Sequence, residues 1–119
     1  MVVKNYIPHR NDIIWIDFEP KKGKEIGKYR PAYVLSSQDY NKNTGLIICC
    51  PISTSIRGVI TEVPIKNLDE PSVIAASLVQ TLSWQTRKVK FITKANKDTL
   101  REVLIRLIPL MGGDILFED

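Results

Sequence analysis

The sequence predicts a mainly β domain in which a small, bent antiparallel sheet, or partly open β-barrel, packs against one C-terminal helix. Short aromatic and β-branched segments recur between turns rich in Gly, Asn and Pro. One helical pattern follows near the C-terminus. The length of 119 residues suits a single domain, so 1–119 is expected to form one unit with 1–11 and 112–119 as peripheral ends.

Apolar runs place the strands of this sheet. Four segments have strand composition: Asp12–Phe18, Pro31–Ser37, Leu46–Ile52 and Val59–Ile65. The third is apolar on both faces, which predicts a central strand, whereas Pro64 predicts that the fourth ends at an edge or a bulge. Residues 72–84 are expected to form two short strands or one bent strand.

Two segments between the strands have the composition of connections. Asn41–Gly45 has turn chemistry, because Asn and Gly tolerate positive φ. Glu19–Arg30 contains two glycines and five basic residues without apolar periodicity, which predicts a long exposed loop.

The predicted helix spans the region from Leu100 to Met111. Its apolar residues follow the helical spacing i, i+3, i+4, i+7, i+8, i+11: Leu100, Val103, Leu104, Leu107, Ile108 and Met111. Asn96 is the expected N-cap. Pro109 is expected to kink or end the helix near Ile108, and the Gly112-Gly113 pair to stop it.

Composition excludes several classes of protein. No apolar run approaches the roughly 20 residues that span a bilayer, and Met1–Arg10 lacks a secretory pattern, so a cytoplasmic protein is expected. Adjacent Cys49 and Cys50 are poorly placed for a disulfide, which favours a reducing compartment. One His and two Cys are too few for a zinc site, and neither a metal nor a cofactor is predicted.

The segment Lys21–Pro31 (KKGKEIGKYRP) is the most informative one for function. Its lysines and Arg30 attract phosphates, its glycines permit close backbone approach, and Tyr29 offers a stacking face for a base. The alternative is a solvated loop that maintains solubility. A second basic run, residues 87–97, is either a solvated connection or the other side of a nucleic-acid groove. The net charge of +4 agrees with a polyanionic partner.

Three hydroxyl residues, Ser53, Thr54 and Ser55, directly follow the predicted central strand. Hydroxyls at the rim of a small barrel are able to hold a phosphate or to donate to a developing oxyanion. The alternative is a turn in which these side chains bond their own backbone.

Taken together, these segments resemble the MazF/PemK (Kid) family of toxin ribonucleases, and most closely its MazF branch. The motifs occur in family order: a strand, an E-P turn, G-x-E, G-x-x-R-P and an apolar strand. The matching residues are Asp12–Phe18, Pro20, Gly23, Glu25, Gly27, Arg30-Pro31, Val34–Ser36, Tyr40-Asn41, Thr44-Gly45, Pro51, Ser53-Thr54 and Trp84.

The resemblance implies the toxin half of a type II toxin–antitoxin pair. Members form homodimers and cut single-stranded RNA (mRNA) at short sequences without a metal ion. The ribose 2′-hydroxyl attacks the adjacent phosphate and leaves a 2′,3′-cyclic phosphate and a 5′-hydroxyl. The implied partner is a cognate antitoxin whose disordered acidic tail lies across the basic groove.

The family's catalytic arginine falls on Arg30, its catalytic threonine on Ser53, and an important glutamate on Glu25. Thr54 is the alternative carrier of the hydroxyl. In the Kid branch an arginine and an aspartate also serve catalysis, but Ala75 and Ser77 stand at those positions, and Lys24 replaces a Kid-branch histidine. The expected RNA-binding residues are Lys24, Gly27, Lys28, Tyr29, Ser77, Gln80 and Arg87.

Two alternative functions fit the same fold. CcdB-type toxins share it and poison DNA gyrase by binding, but they lack the G-x-x-R-P loop. A family member that has lost catalysis and retains only RNA binding is the other alternative, because Ser53, Ala75 and Ser77 depart from the family pattern.

Overall fold

The computed structural model describes residues 6–118, which form seven strands and two α-helices. Residues 1–5 and 119 of the expected peripheral ends lie outside this range, and the single-domain boundaries remain a prediction. The elements are β1 (Asp12–Asp17), β2 (Tyr29–Val34), α1 (Gln38–Thr44), β3 (Leu46–Ser53), β4 (Glu62–Ile65), β5 (Ser72–Ala75), β6 (Gln80–Ser83), β7 (Lys90–Lys94) and α2 (Thr99–Leu110).

All strand pairs are antiparallel, in the order β4-β5-β3-β2-β1-β7, with β6 also paired to β3. The first half of β3 pairs with β6 and its last two residues pair with β5, so the sheet bends along this strand. A 3-10 turn, Ala76–Leu78, separates β5 from β6. The expected bent sheet, central third strand and edge position of Pro64 are confirmed, and residues 72–84 form two short strands.

Apolar side chains cover both faces of the sheet. On one face, Val103 and Leu107 of α2 pack against a cluster that includes Ile13, Tyr33 and Ile74. On the other face, the buried cluster comprises Ile14, Ile16, Phe18, Ala32, Val34, Ile47, Cys49 and Leu82. The helix therefore covers one side of the sheet, as expected.

The expected turn at Asn41–Gly45 is wrong, because this segment belongs to helix α1. Ser37 caps the helix by accepting a hydrogen bond from the Tyr40 amide at 3.2 Å, and Gly45 ends it at φ 73°. The fully buried Asn41 side chain donates to Pro8 O at 2.7 Å and accepts from the Ser36 hydroxyl. Long-range bonds thus convert a turn-like composition into a helical turn.

The second basic run, residues 87–97, contains the strand β7, whereas the sequence analysis interpreted the run as a connection or as one side of a groove. β7 pairs with β1 at the edge of the sheet, and its Lys94 forms an ion pair with the buried Asp12. Lysines at an edge strand face solvent and oppose pairing with other chains. Because lysines occupy positions of β7, its sequence lacks the alternation of apolar and polar residues that predicts a strand.

The ends of α2 differ from expectation in two places. Asp98, not Asn96, is the N-cap residue, because Asn96 O accepts the Thr99 amide in the turn that leaves β7. Pro109 lies inside the helix, which continues to Leu110. The Gly112-Gly113 stop is confirmed, with Gly112 at φ 79°.

Two predicted element boundaries differ in the structure: the start of the fourth strand and the C-terminal end of α2. The fourth strand begins at Glu62, not Val59, so Val59 and Ile60 lie in an exposed loop. Met111, assigned to the apolar face of α2, is 65% exposed because the helix has ended before it.

We expect Asn41→Ala to lower the free energy of unfolding by about 2–4 kcal/mol, because it leaves the Pro8 carbonyl without its buried donor and removes the acceptor of the Ser36 hydroxyl. Urea denaturation with an unchanged m-value measures the loss. Asn43→Ala is the matched control, since Asn43 is exposed on the same helix. A difference between the two variants below about 0.5 kcal/mol would contradict this account.

Candidate active site

The antiparallel register brings Arg30 and Ser53 together. Ala32 pairs with Pro51 across β2 and β3, so continuing this register by two residues sets Arg30 opposite Ser53. Ser53 also pairs with Val73 of β5. The two positions share one face of the sheet because side chains alternate along a strand. Residues far apart in sequence therefore meet where three strands end.

The loop between β1 and β2, residues 19–28, is termed the basic loop. The Glu19 carboxylate accepts the Lys28 amide at 2.6 Å, and the Phe18 amide donates to Lys28 O at 2.9 Å. Inside the loop, the Glu25 carboxylate accepts the Lys22 amide at 2.7 Å. The Glu19 and Glu25 carboxylates thus bind backbone amides of the basic loop and hold its conformation, and the exposed lysine side chains extend from it.

Arg30 is oriented by the basic loop that precedes it. Its Nε donates to Gly27 O at 2.7 Å, and partial burial lowers the pKa of its guanidinium. A Cβ at Gly27 would lie 2.2 Å from a carboxylate oxygen of Glu19. Glycine lets the loop backbone pass close to the Glu19 carboxylate, and a larger residue here would displace that side chain.

A cleft of about 540 Å³ opens beside these residues. Seven of the residues predicted for the site line it: Lys24, Glu25, Gly27, Lys28, Arg30, Ser53 and Ser77. Ala75 also lines it. The Ser53 hydroxyl accepts the Ser55 amide at 3.0 Å, which leaves its proton free to donate into the cleft.

Four predicted residues lie outside the lining of this cleft. Thr54 is exposed beyond it, and Gln80 pairs with Cys49 in the sheet. The Tyr29 ring stacks on Trp15 with centroids 5.3 Å apart, and its hydroxyl donates to Lys88 O. Arg87 donates to two backbone carbonyls. RNA contacts by Tyr29, Gln80 and Arg87 remain predictions.

Sequence reasoning missed several residues of the cleft, and Arg57 is the most consequential. The Glu62 carboxylate holds the loop after β3 by accepting the Arg57 amide at 3.2 Å and the Gly58 amide at 2.9 Å. Among residues 6–118, the ion pairs join Lys94 to Asp12 and Arg106 to Glu102, so the Arg57 guanidinium is not in one. An arginine followed by glycine in the loop after a central strand was the available signal.

Positive charge predominates in the cleft. Its cations are Lys21, Lys24, Lys28, Arg30 and Arg57, and its carboxylates are Glu19, Glu25 and Glu62. Each of the three carboxylates accepts backbone amides, so the cations are available to an incoming anion. This arrangement suits binding of a phosphodiester and stabilisation of added charge on it.

Two other kinds of site receive little support in the described part of the chain. No group of three or more His, Cys, Asp or Glu residues is arranged to hold a metal ion within residues 6–118. Cys49 and Cys50 are fully buried, and burial raises the pKa of the Cys50 thiol to about 12, so neither is a reactive thiolate at neutral pH.

No helix within residues 6–118 is long and apolar enough to cross a membrane.

Fold, cleft and sequence together define the class of protein. Residues 9–111 match the family described as PemK-like, MazF-like toxin of type II toxin–antitoxin system. The chain belongs to this family.

Individual relatives agree with the family assignment. The endoribonuclease toxin MazF of Escherichia coli (strain K12) is 38% identical over 86 residues, covering 72% of this chain and 78% of that protein. The crystal structure of MazF from Deinococcus radiodurans has a TM-score of 0.87 at 35% identity, covering 91% of this chain and 99% of that one. A MazE–MazF structure from the same organism has a TM-score of 0.80 at 35% identity, with 91% and 98% covered.

Proposed function

We propose that this chain is the toxin of a type II toxin–antitoxin pair and an endoribonuclease that cleaves single-stranded RNA without a metal ion. The observation that carries the proposal is that Arg30 and Ser53 line the same basic cleft, in a chain of the MazF family. The attacking group is the ribose 2′-hydroxyl of the substrate, so the protein needs no nucleophile of its own.

Cleavage proceeds by in-line transfer at phosphorus. The 2′-oxygen bonds to phosphorus as its proton passes to a base, and the bond to the 5′-oxygen breaks as that oxygen takes up a proton. The products are a 2′,3′-cyclic phosphate and a 5′-hydroxyl. The phosphorane between them carries more negative charge than the substrate, so the protein has to stabilise it and align the 2′-oxygen.

Arg30 binds the phosphorane oxygens. Its Nε is occupied by Gly27 O, so the two terminal nitrogens of the guanidinium are left to contact the phosphate. Partial burial strengthens this interaction because the surroundings screen it less than water does. The guanidinium is a poor base even with a lowered pKa, so Arg30 serves as an electrostatic group.

Ser53 and Glu25 supply the remaining chemistry. The Ser53 hydroxyl donates to a phosphoryl oxygen, and its position in the cleft favours it over Thr54. Glu25 is the general base. One of its oxygens accepts the Lys22 amide, which leaves the other free to take the 2′-proton. Lys24 and Lys28 are the candidate donors of the proton to the 5′-oxygen.

The flanking nucleotides lie along the rest of the basic surface. Lys24, Gly27, Lys28 and Ser77 line the cleft and contact the strand there, with Arg57 as an additional phosphate ligand. Tyr29 and Gln80 contact nucleotides beyond the cleft, where the exposed Tyr29 ring offers a stacking face.

The partner is a cognate antitoxin whose disordered acidic tail occupies the basic cleft, and the pair acts in the cytoplasm. The MazE–MazF structure of D. radiodurans supports such a complex. The toxin is a homodimer. An apolar groove of about 560 Å³ between α2 and the 3-10 segment Gly113–Phe117, together with the exposed Leu116 and Phe117, supports a docking face for a second copy.

The test is incubation of the purified chain with a long single-stranded RNA in EDTA, followed by mapping of the cut ends. We expect discrete cuts at one short motif with 5′-hydroxyl ends, because no step uses a metal. Intact RNA from folded, antitoxin-free protein would contradict the proposal and favour an inactive RNA binder or a gyrase poison. Binding of labelled RNA and inhibition of gyrase then separate these two outcomes.

A further inference from the structure

One terminal nitrogen of the Arg87 guanidinium, Nη1, is bonded to the backbone at the start of the basic loop. This nitrogen donates to Asp17 O at 2.9 Å and to Glu19 O at 2.8 Å. Arg87 O accepts the Asp17 amide at 2.9 Å. Both the main chain and the side chain of Arg87 are therefore bonded to the end of β1. Arg87 does not line the cleft.

The two carbonyls belong to the residues that flank Phe18. The Phe18 side chain is buried in the sheet cluster, and its amide donates to Lys28 O at the other end of the loop. The Glu19 carboxylate accepts the Lys28 amide. Arg87 therefore holds the peptide unit that carries the Phe18 amide, and it also holds the backbone of Glu19, whose side chain makes the second bond that closes the basic loop.

From the loop the connection continues to Arg30. Gly27 passes against the Glu19 carboxylate, and Gly27 O accepts the Arg30 Nε. A shift of Glu19 would move the Lys28 amide and the neighbouring Gly27 carbonyl, and with them the guanidinium that faces the cleft. Small displacements of a charged group cost much of its effect on an in-line reaction.

We propose that Arg87 is a positioning residue, which aligns Arg30 by clamping the Asp17 and Glu19 carbonyls through Nη1 and acts from outside the cleft lining. This replaces the RNA contact expected from the sequence. The part of the inference that concerns cleavage rests on the proposed function. The part that concerns the loop does not, because the clamp is present without RNA.

The first test is amide hydrogen exchange in the RNA-free protein. Arg87→Met keeps the aliphatic packing and removes both bonds, so exchange at the Phe18 and Lys28 amides should accelerate about tenfold or more. The buried Ile47 amide in β3 should be unaffected. Arg87→Lys retains a donor and should restore most of the protection. Equal acceleration at the loop and at Ile47, or no change at the loop, would overturn the proposal.

The second test compares Arg87 with Arg57 on RNA. A single-strand phosphate contact contributes about 0.7 to the slope of log K against log salt. Using a non-cleavable 2′-deoxy substrate, we expect Arg57→Ala to lose this increment and Arg87→Met to keep it. In cleavage, Arg87→Met should lower kcat about 10- to 100-fold and change KM less than about threefold.

The opposite pattern identifies a phosphate ligand. A slope reduced by about 0.7 in Arg87→Met, with unchanged loop exchange, would overturn the positioning role. If the proposed function is wrong, the wild-type protein will leave RNA intact. The faster exchange of the Phe18 and Lys28 amides in Arg87→Met would still be observed, because it does not depend on RNA.

Discussion

Arg30→Ala is expected to lower the rate of RNA cleavage by at least about a hundredfold, which corresponds to about 2.7 kcal/mol of transition-state stabilisation. The guanidinium is a half-buried cation that lines the same cleft as Ser53, and its orientation is set by the bond to Gly27 O. Its charge acts on the phosphorane more than on the substrate, so kcat should fall more than KM rises. Single-turnover cleavage of a short RNA measures the effect.

Two further variants separate a catalytic loss from a structural one. Lys42→Ala removes one positive charge from exposed α1, beside the opposite end of β3, and should retain cleavage within about twofold. Arg30→Lys keeps the charge but loses the planar fork, so an intermediate rate is expected. Full cleavage by Arg30→Ala at an unchanged melting temperature would refute the assignment of Arg30.

Ser53→Ala should reduce cleavage about 10- to 100-fold, because it removes the hydroxyl that donates into the cleft. Thr54→Ala should cost less than about threefold, because Thr54 lies outside the cleft lining. Ser53→Thr should retain activity, since it preserves the hydroxyl and adds only one methyl group.

The measurement is again single-turnover cleavage, with RNA affinity determined on a 2′-deoxy substrate. Retained affinity with reduced cleavage places the defect in the chemical step. A larger loss in Thr54→Ala than in Ser53→Ala would reverse the assignment and make Thr54 the carrier of the hydroxyl.

Local patterns were sufficient for most of the sheet. β-Branched and aromatic runs predicted β1, β2 and β3 to within a few residues, and Pro64 predicted an edge. They failed at α1, because Asn41 and Gly45 are residue types typical of turns. The bonds from Asn41 to Pro8 and Ser36, which stabilise the helix, are not visible in the sequence. Local patterns failed again at β7, where edge lysines conceal a strand that is specified by its pairing with β1.

The candidate site divides in the same way. The G-x-x-R-P motif and the hydroxyls after β3 identified Arg30 and Ser53, and the cleft contains both. Arg57 was missed because its only local signal, an arginine followed by glycine in the loop after a central strand, does not show that the side chain lines the cleft. Arg87 was interpreted as a nucleic-acid contact from its charge alone, since no sequence pattern shows that its Nη1 donates to the Asp17 and Glu19 carbonyls.

The sequence by itself determined the family, the mainly β architecture and the residue types that handle a phosphodiester, because these depend on short patterns of side chains. Only the tertiary structure decided which cations face the cleft and which hold the backbone. That distinction depends on register and on bonds between residues distant in sequence, such as Arg87 and Asp17, which are 70 positions apart. Charge is a property of the residue, whereas its availability to a ligand is a property of the fold.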